Sequence, residues 1–298
     1  MKNILIIGCG LLGSSLLRRI QKKKIANKIY IYEKSNSNLT KIKRLKLPGK
    51  IVRKLEDGVK KSDLIILCTP MSEYKNLILK MNKSLSTKTI ITDIGSSKLE
   101  SSKIIKKYLR KDVSWTQSHP ITGSEVSGPE HGKHDIFEKK WCVLIKEKNT
   151  KKNHLTILKN FWKKIGSKVT VMTPEKHDKI FSMTSHLPHL IAYNLVKSAQ
   201  DFEKMQNFDL IKYSAGGLRD FSRIAASNEI MWRDIFFNNK QNISKAIDLF
   251  IKNLNSFKKD INSKNNKSIL KKLIQTKKVR SKIIKLKQDI DKPDFGRN

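Results

Sequence analysis

Asn3-Ile4-Leu5-Ile6-Ile7-Gly8-Cys9-Gly10-Leu11-Leu12-Gly13 decides the fold. The apolar run 3–7 reads as a buried strand. It passes directly into Gly8-Cys9-Gly10-Leu11-Leu12-Gly13, a G-x-G-x-x-G pattern. A helix is expected at once, over Leu11–Lys24, with Leu12, Leu16, Leu17 and Ile20 on its apolar face. In that setting the first glycine permits a tight turn, the second lets backbone approach a pyrophosphate, and the third lets helix pack on strand. The helix N-terminus then offers N–H groups to phosphates. A second strand, Ile29–Tyr32, ends at Glu33, 20 residues past Gly13. A carboxylate there accepts hydrogen bonds from the adenosine ribose and repels a 2′-phosphate. NAD is therefore the expected cofactor and NADP is disfavoured, although Lys34 follows directly and softens the repulsion. Gly8, Gly10, Leu11, Leu12, Gly13 and Glu33 form the expected dinucleotide contacts.

Outward from this unit, further apolar runs occur at Leu64–Leu67, Thr89–Thr92, Trp141–Ile145 and Val169–Met172. Helical stretches at Glu73–Asn82 and Leu99–Leu109 separate several of them. The patch Lys34–Lys46 reads as loop and helix start. Alternation of strand and helix implies an α/β doubly wound parallel sheet, a Rossmann domain. After Thr173-Pro174 the pattern becomes helical, with helices expected over Glu175–Ser198, Ile224–Phe237, Lys240–Phe257 and Ser268–Lys287. In the last of these, Leu270, Leu273, Val279 and Ile283 are expected to pack inward. The tail from Asp289 is expected to be irregular. We place a domain boundary at residue 173, giving a dinucleotide-binding domain over 1–173 and an all-α substrate and dimerisation domain over 174–298.

The chain of 298 residues carries 63 Lys+Arg against 26 Asp+Glu, a formal net charge of +37. Such a balance raises nucleic-acid binding as an alternative. The lysines, however, are spread over every expected helix, as in a solvated surface, and no specific nucleic-acid partner is expected. No run of eighteen apolar residues offers a membrane span. The short Ile4–Ile7 stretch lacks the features of a signal peptide. Cys9, Cys68 and Cys142 are odd in number and widely spaced, so neither a disulfide framework nor a zinc site can be built from them. A reducing cytoplasm is the expected compartment.

In open α/β sheets, ligands bind beyond the carboxyl ends of the strands. Thr69-Pro70, Asp93-Ile94-Gly95-Ser96-Ser97-Lys98 and Ser118-His119-Pro120-Ile121-Thr122-Gly123-Ser124-Glu125 fall at such ends. The helical half adds Ser185-His186-Leu187-Pro188-His189, the Gly216–Ser227 stretch and Met231-Trp232-Arg233-Asp234. His186 and His189 have the i, i+3 spacing of metal ligands, but no further ligands fit, so no metal is expected. His177-Asp178 resembles half of a metal-phosphohydrolase pattern without the rest. Arg219, Arg223 and Arg233 lie within 15 residues, in a chain that prefers lysine. Arginine suits two-pronged capture of a carboxylate.

These clusters together resemble the prephenate/arogenate (cyclohexadienyl) dehydrogenase family over roughly residues 3–290. The carriers are the glycine motif, Asp93-Ile94-Gly95-Ser96, His119-Pro120-Ile121-Thr122-Gly123-Ser124-Glu125, Ser185-His186-Leu187-Pro188-His189 and Arg219-Asp220-Phe221-Ser222-Arg223-Ile224-Ala225. The ending Pro293-Asp294-Phe295-Gly296-Arg297 is similar to the bacterial single-function branch, so neither a chorismate mutase nor a regulatory ACT domain is expected. The resemblance implies a homodimer that oxidatively decarboxylates a cyclohexadienyl substrate with NAD. It implies His119 as the catalytic histidine and Ser96 as the serine beside the nicotinamide. It implies Arg223 on the ring carboxylate, and His189 and Trp232 near the substrate side chain. Glu125, Arg219 and Asp220 would form a polar group at the pocket mouth, partly reached across the dimer. Thr69, Pro70 and Asp93 are expected at the cofactor. Thr122 and Ser97 depart from the family's usual alanine and valine. A β-hydroxyacid dehydrogenase is the alternative enzyme; it needs a catalytic lysine on the helical domain, and the His119 and Arg223 clusters argue against it. A basic RNA-binding protein with a vestigial Rossmann domain is the alternative outside enzymes.

Overall fold

The computed structural model describes residues 2–286 and 288. Lys287, where the last expected helix ends, and the tail from Asp289 with its Pro293–Arg297 motif lie outside the described residues. The first half runs β1 (Asn3–Ile7), α1 (Leu11–Lys22), β2 (Lys28–Tyr32), α2 (Asn36–Arg44), β3 (Lys50–Ile51), α3 (Leu55–Lys60), β4 (Leu64–Leu67), α4 (Tyr74–Met81), β5 (Ile90–Asp93), α5 (Leu99–Tyr108) and β6 (Ser114–Trp115). All six strands are parallel, in the order β3-β2-β1-β4-β5-β6. Chain order reverses between β1 and β4, and the glycine loop leaves β1 at that switch point.

β1 shows why the run 3–7 is continuously apolar. Ile4 and Ile6 face one cluster, with Leu16, Leu17 and Ile20 of α1. Leu5 and Ile7 face the other, with Leu77 and Met81 of α4. A strand covered on both faces has no polar side to alternate with. Gly13 sits where α1 crosses β1: a Cβ there would lie 2.1 Å from the Gly8 carbonyl oxygen. Gly8 has φ +87°, in the left-handed region that favours glycine.

The runs Trp141–Ile145 and Lys168–Met172 are strands, but they do not extend the main sheet as alternation suggested. β7 (Ser118–Pro120), β8 (Trp141–Ile145) and β9 (Lys168–Met172) form a second sheet in the order β7-β8-β9, with α6 (Lys152–Ile165) between β8 and β9. β7 is antiparallel to β8, and β8 is parallel to β9. The stretch 114–120 serves both sheets. Its first half pairs with β5, and its second half crosses over to β8. Ser118 Oγ anchors the bend by donating to the Asp93 carbonyl at 2.6 Å. Phe161 and Trp162 of α6 pack on the α1 side, so both sheets share one core.

The second half is helical: α7 (Pro174–Phe181), α8 (Leu187–Gln206), α9 (Gly216–Ala225), α10 (Glu229–Asn238), α11 (Lys240–Asn262) and α12 (Asn266–Lys285). α7 starts at a Thr173 cap with Pro174 in its first turn. The expected helix Glu175–Ser198 is interrupted by a π-helical turn, Ser182–His186, which re-aims the histidines. The expected helix Ile224–Phe237 is two helices, because Asn228 accepts the Met231 N–H and starts α10 anew. Trp232 and Ile235 of α10 join the α4 side of the core, seating this half against the sheet. Leu270, Leu273 and Val279 do not pack inward; each is about half exposed, and Ile283 is 38% exposed. Within one chain α12 packs along α11 and buries none of its residues, so an outward apolar stripe remains. Among the described residues no helix is long and apolar enough to cross a membrane.

Gly13→Ala must push α1 off β1. We expect a loss of about 1–3 kcal/mol in urea unfolding, with weakened dinucleotide binding. Wild-type stability in the variant would show that the helix yields without cost.

Candidate active site

A cleft of about 480 Å³ opens between the glycine loop and α10. Gly8, Gly10, Leu11, Leu12, Glu33, Thr69, Pro70 and Ser96 line it, as the sequence suggests. Gly13 lies behind, at the helix–strand crossing. A Cβ on Gly10 would meet nothing within 4 Å, so the loop backbone is open to a close ligand. Glu33 is pinned at one end: its Oε2 accepts the Cys9 N–H at 2.8 Å and its Oε1 the Ser35 N–H at 2.9 Å. Thr69 Oγ1 is buried without a hydrogen-bond partner on the cleft wall. Glycine loop, helix N-terminus and strand-end carboxylate together fit a dinucleotide with an unmodified ribose.

Asp93 departs from expectation. It is fully buried and is not on the cleft wall. Its Oδ2 accepts from Lys98 Nζ at 2.6 Å, Tyr74 OH at 2.9 Å and the Gly95 N–H at 3.0 Å. Its Oδ1 accepts from Trp115 Nε1 at 3.1 Å. Four donors occupy the carboxylate, so it shapes the loop that presents Ser96 and has no capacity left for a ligand. Lys98, also fully buried, bridges Asp93 to the Ser118 carbonyl at 2.7 Å, next to the catalytic candidate.

His119 lies on β7, 8% exposed. Its Nδ1 is 2.8 Å from His177 Nε2, and His177 Nδ1 is 2.7 Å from Asp178 Oδ1. Asp178 also accepts the Lys98 and Leu99 N–H groups at 2.8 and 2.9 Å, closing the N-terminus of α5 from the first turns of α7. Burial raises the Asp178 carboxyl pKa, and those two backbone N–H groups oppose the rise. A carboxylate only accepts, so His177 carries its proton on Nδ1 and accepts on Nε2. His119 must then donate from Nδ1, which leaves Nε2 as its accepting nitrogen. Burial, helped by His177, Lys98 and His186, holds the His119 pKa well below the ordinary histidine value of 6.5. The imidazole is neutral and its lone pair is fixed in direction. His177-Asp178 is thus not half of a metal motif. Its adjacency in sequence is visible, but its pairing with His119, 58 residues away, exists only in the fold.

The helical side presents polar atoms that lack partners. His186 Nδ1 accepts from Asn239 Nδ2 at 3.1 Å, so its Nε2 carries the proton. That Nε2 is buried; it lies toward the Ser96 backbone without a well-aligned hydrogen bond. Burial lowers the His186 pKa to about 4, so this ring is neutral as well. His189 stacks on Trp232 with ring centroids 3.8 Å apart, and its Nδ1 donates to the Ser185 carbonyl at 2.9 Å. Trp232 Nε1 and Arg223 Nε are likewise buried and unpaired. Arg223 Nη1 stands 3.7 Å from Glu125 Oε2. Arg219 and Asp220 are exposed on α9 and are not brought to this group within one chain. Unpaired buried donors are costly unless a ligand accepts from them. Here they suit an anionic substrate.

Comparison with known proteins agrees with this geometry. A family model described as prephenate dehydrogenase, nucleotide-binding domain, matches residues 16–171. One described as prephenate dehydrogenase, dimerization domain, matches residues 173–276. The chain is 31% identical to a cyclohexadienyl dehydrogenase of Zymomonas mobilis over 97% of its own length and 98% of the relative's. It is 30% identical to a prephenate dehydrogenase of Bacillus subtilis, covering 86% of this chain and 69% of that one. Its fold matches prephenate dehydrogenase from A. aeolicus, solved in complex with hydroxyphenyl propionate and NAD+. The TM-score is 0.88 at 34% identity, over 95% of this chain and 98% of the other. With both halves matched and such relatives covering nearly its full length, the chain belongs to the prephenate dehydrogenase family.

Proposed function

We propose that the protein oxidises and decarboxylates prephenate, arogenate or both with NAD, yielding 4-hydroxyphenylpyruvate or tyrosine. The observation that carries this reading is the Asp178–His177–His119 chain, which leaves one neutral base with a directed lone pair. When bound, the nicotinamide supplies the hydride acceptor for the ring C4 hydrogen. His119 Nε2 takes the C4 hydroxyl proton as that hydrogen leaves. The C1 carboxylate then departs as CO₂ and the ring becomes aromatic.

The other residues bind and orient. Gly8, Gly10, Leu11, Leu12, Thr69 and Pro70 hold the dinucleotide, Gly13 supports the loop, and Glu33 takes the ribose hydroxyls. Ser96 lines the same cleft and orients the nicotinamide. Arg223 clamps the ring carboxylate. His189 and Trp232 contact the substrate side chain, with Glu125 at the mouth. Arg219 and Asp220 reach this mouth from a second copy. Residues 1–173 serve as the dinucleotide-binding domain and 174–298 as the helical one. The protein is a homodimer through the helical half, whose outward Leu249, Leu254, Leu270 and Leu273 have no cover in one chain.

Three results test this. First, His119 acts as a neutral base, and its pKa is lowered. The acid limb of kcat/KM therefore falls below pH 6.5, since activity is lost only once Nε2 protonates. His119→Asn should lower kcat about 10²- to 10⁴-fold and abolish that limb; near-normal kcat would sink the assignment. Second, Arg223→Ala should raise KM for substrate about 10- to 100-fold, the lower end for a charge pair because the side chain is 39% exposed. kcat should change less, and Arg223→Lys should recover only part, lacking the fork. An unchanged KM means that Arg223 does not hold the carboxylate. Third, sedimentation should give twice the chain mass, whereas a monomer at micromolar concentration would contradict the shared mouth.

A further inference from the structure

Around Glu33 the protein has assembled most of what a 2′-phosphate would seek. α2 begins three residues on, with Ser35 as its cap and no acidic residue in its first turn. Two lysines flank the carboxylate. Lys34 lies on the outer wall beside Glu33 and Ser35, and Lys41 lies on the inner wall beside Glu33 and Asn38. With a single carboxylate against two lysines, the Arg233 guanidinium and a helix N-terminus, discrimination against the phosphorylated cofactor would be weak.

Each lysine, however, is held by an acid from a different element. Lys34 Nζ donates to Glu73 Oε2 at 2.6 Å; Glu73 comes from the turn that follows β4 and Pro70. Lys41 Nζ donates to Glu130 Oε1 at 2.5 Å; Glu130 comes from the loop that follows Glu125. That loop is seated firmly over α1 and α2. The Lys133 N–H donates to Ser15 Oγ at 3.0 Å, and a Cβ on Gly132 would fall 2.1 Å from Ser14 Oγ. Gly128, at φ +109°, leaves just the room that Glu130 fills: a Cβ there would lie 2.5 Å from its Oε2. That oxygen is buried and has no hydrogen-bond partner; the carboxylate is paired through Oε1, with Lys41 Nζ at 2.5 Å and the His131 ring farther off at 4.0 Å.

We infer that Glu73 and Glu130 are specificity residues for the cofactor. By holding Lys34 and Lys41 they keep both lysines beside Glu33 from capturing a 2′-phosphate, while Arg233, on the same outer wall, is held by Asp234. Selection of NAD over NADP then rests on three carboxylates on three elements, not on Glu33 alone. The inference rests on the reading that the adenosine ribose lies at Glu33.

Dissociation constants for NADH and NADPH, from nucleotide fluorescence or calorimetry, test it in the full-length protein. The variants are Glu73→Gln, Glu130→Gln, the double variant, and the double variant with Lys34→Met and Lys41→Met added. Each single change should raise the NADPH-to-NADH affinity ratio about twofold to fivefold, the worth of a half-exposed charge contact. The double change should raise it more than either, and the gain should shrink between about 0.05 and 0.5 M salt. Adding the methionines should return the ratio to within about twofold of wild type. NADH binding by each variant reports that its cleft is folded. A ratio that stays within about twofold of wild type in the double variant overturns the inference. So does a gain that survives loss of both lysines, since mere removal of negative charge would then explain it. If the wild-type protein binds neither nucleotide, the cleft reading itself falls and takes the inference with it.

Discussion

Asp178 is a carboxylate with no access to water, and the site depends on where it sits. It accepts two N–H groups at the start of α5 and one from His177, while its own carbonyl takes a hydrogen bond from Asn239 of the α10–α11 junction. One residue therefore ties the sheet half to the helical half and sets the tautomer of the base. A buried carboxylate is tolerated only when its oxygens are filled, and here backbone donors at a helix N-terminus do most of that filling. Loss of Asp178 would leave those N–H groups unpaired and release His177 to either tautomer. Structure and chemistry are coupled at this point.

A second buried ion pair works beside the first. Lys98 and Asp93 are both fully buried, and Lys98 also reaches the Ser118 carbonyl, one residue before His119. Its positive charge, added to burial, helps keep His119 and His177 neutral. The pair thus does two things: it fixes the bend where the chain leaves the main sheet, and it biases His119 and His177 toward their neutral forms. Replacing a buried pair with apolar side chains is often neutral for stability. At this position, however, the field on the histidines would be lost.

Much of this was legible in the sequence, and the parts that were not share a cause. The glycine loop, Glu33 and the first strand–helix–strand unit were legible because their meaning is local: spacing along the chain and spacing in the fold coincide. His119 and Arg223 can be singled out from their motifs, and their roles belong to the proposal. Asp93 was misplaced because a strand-end carboxylate looks the same whether it faces a ligand or four donors from Lys98, Tyr74, Gly95 and Trp115. His177-Asp178 stands out as a pair in the sequence, but its pairing with His119 is invisible there because the partner lies in the other half of the chain. The strands at Trp141 and Lys168 look like continuation of one sheet, and only the crossover at 114–120 divides them. The apolar residues of α12 satisfy a helical period, but period does not say whether the cover comes from the same chain.

The net charge of +37 sets the terms for cofactor choice. A surface so basic attracts any anion, and the pull grows with each phosphate. Such a field cannot distinguish NAD from NADP except in the wrong direction. Selectivity has to be local, built within about 10 Å, where screening by salt is incomplete. In a chain with 26 carboxylates against 63 cations, acids are the scarce component, and where they are placed is informative. Three of them stand around the expected ribose: Glu33 held by backbone N–H groups, and Glu73 and Glu130 held by lysines. A surface of this charge favours either dinucleotide. The carboxylates decide which one stays, and they do so partly by occupying the cations nearest to it.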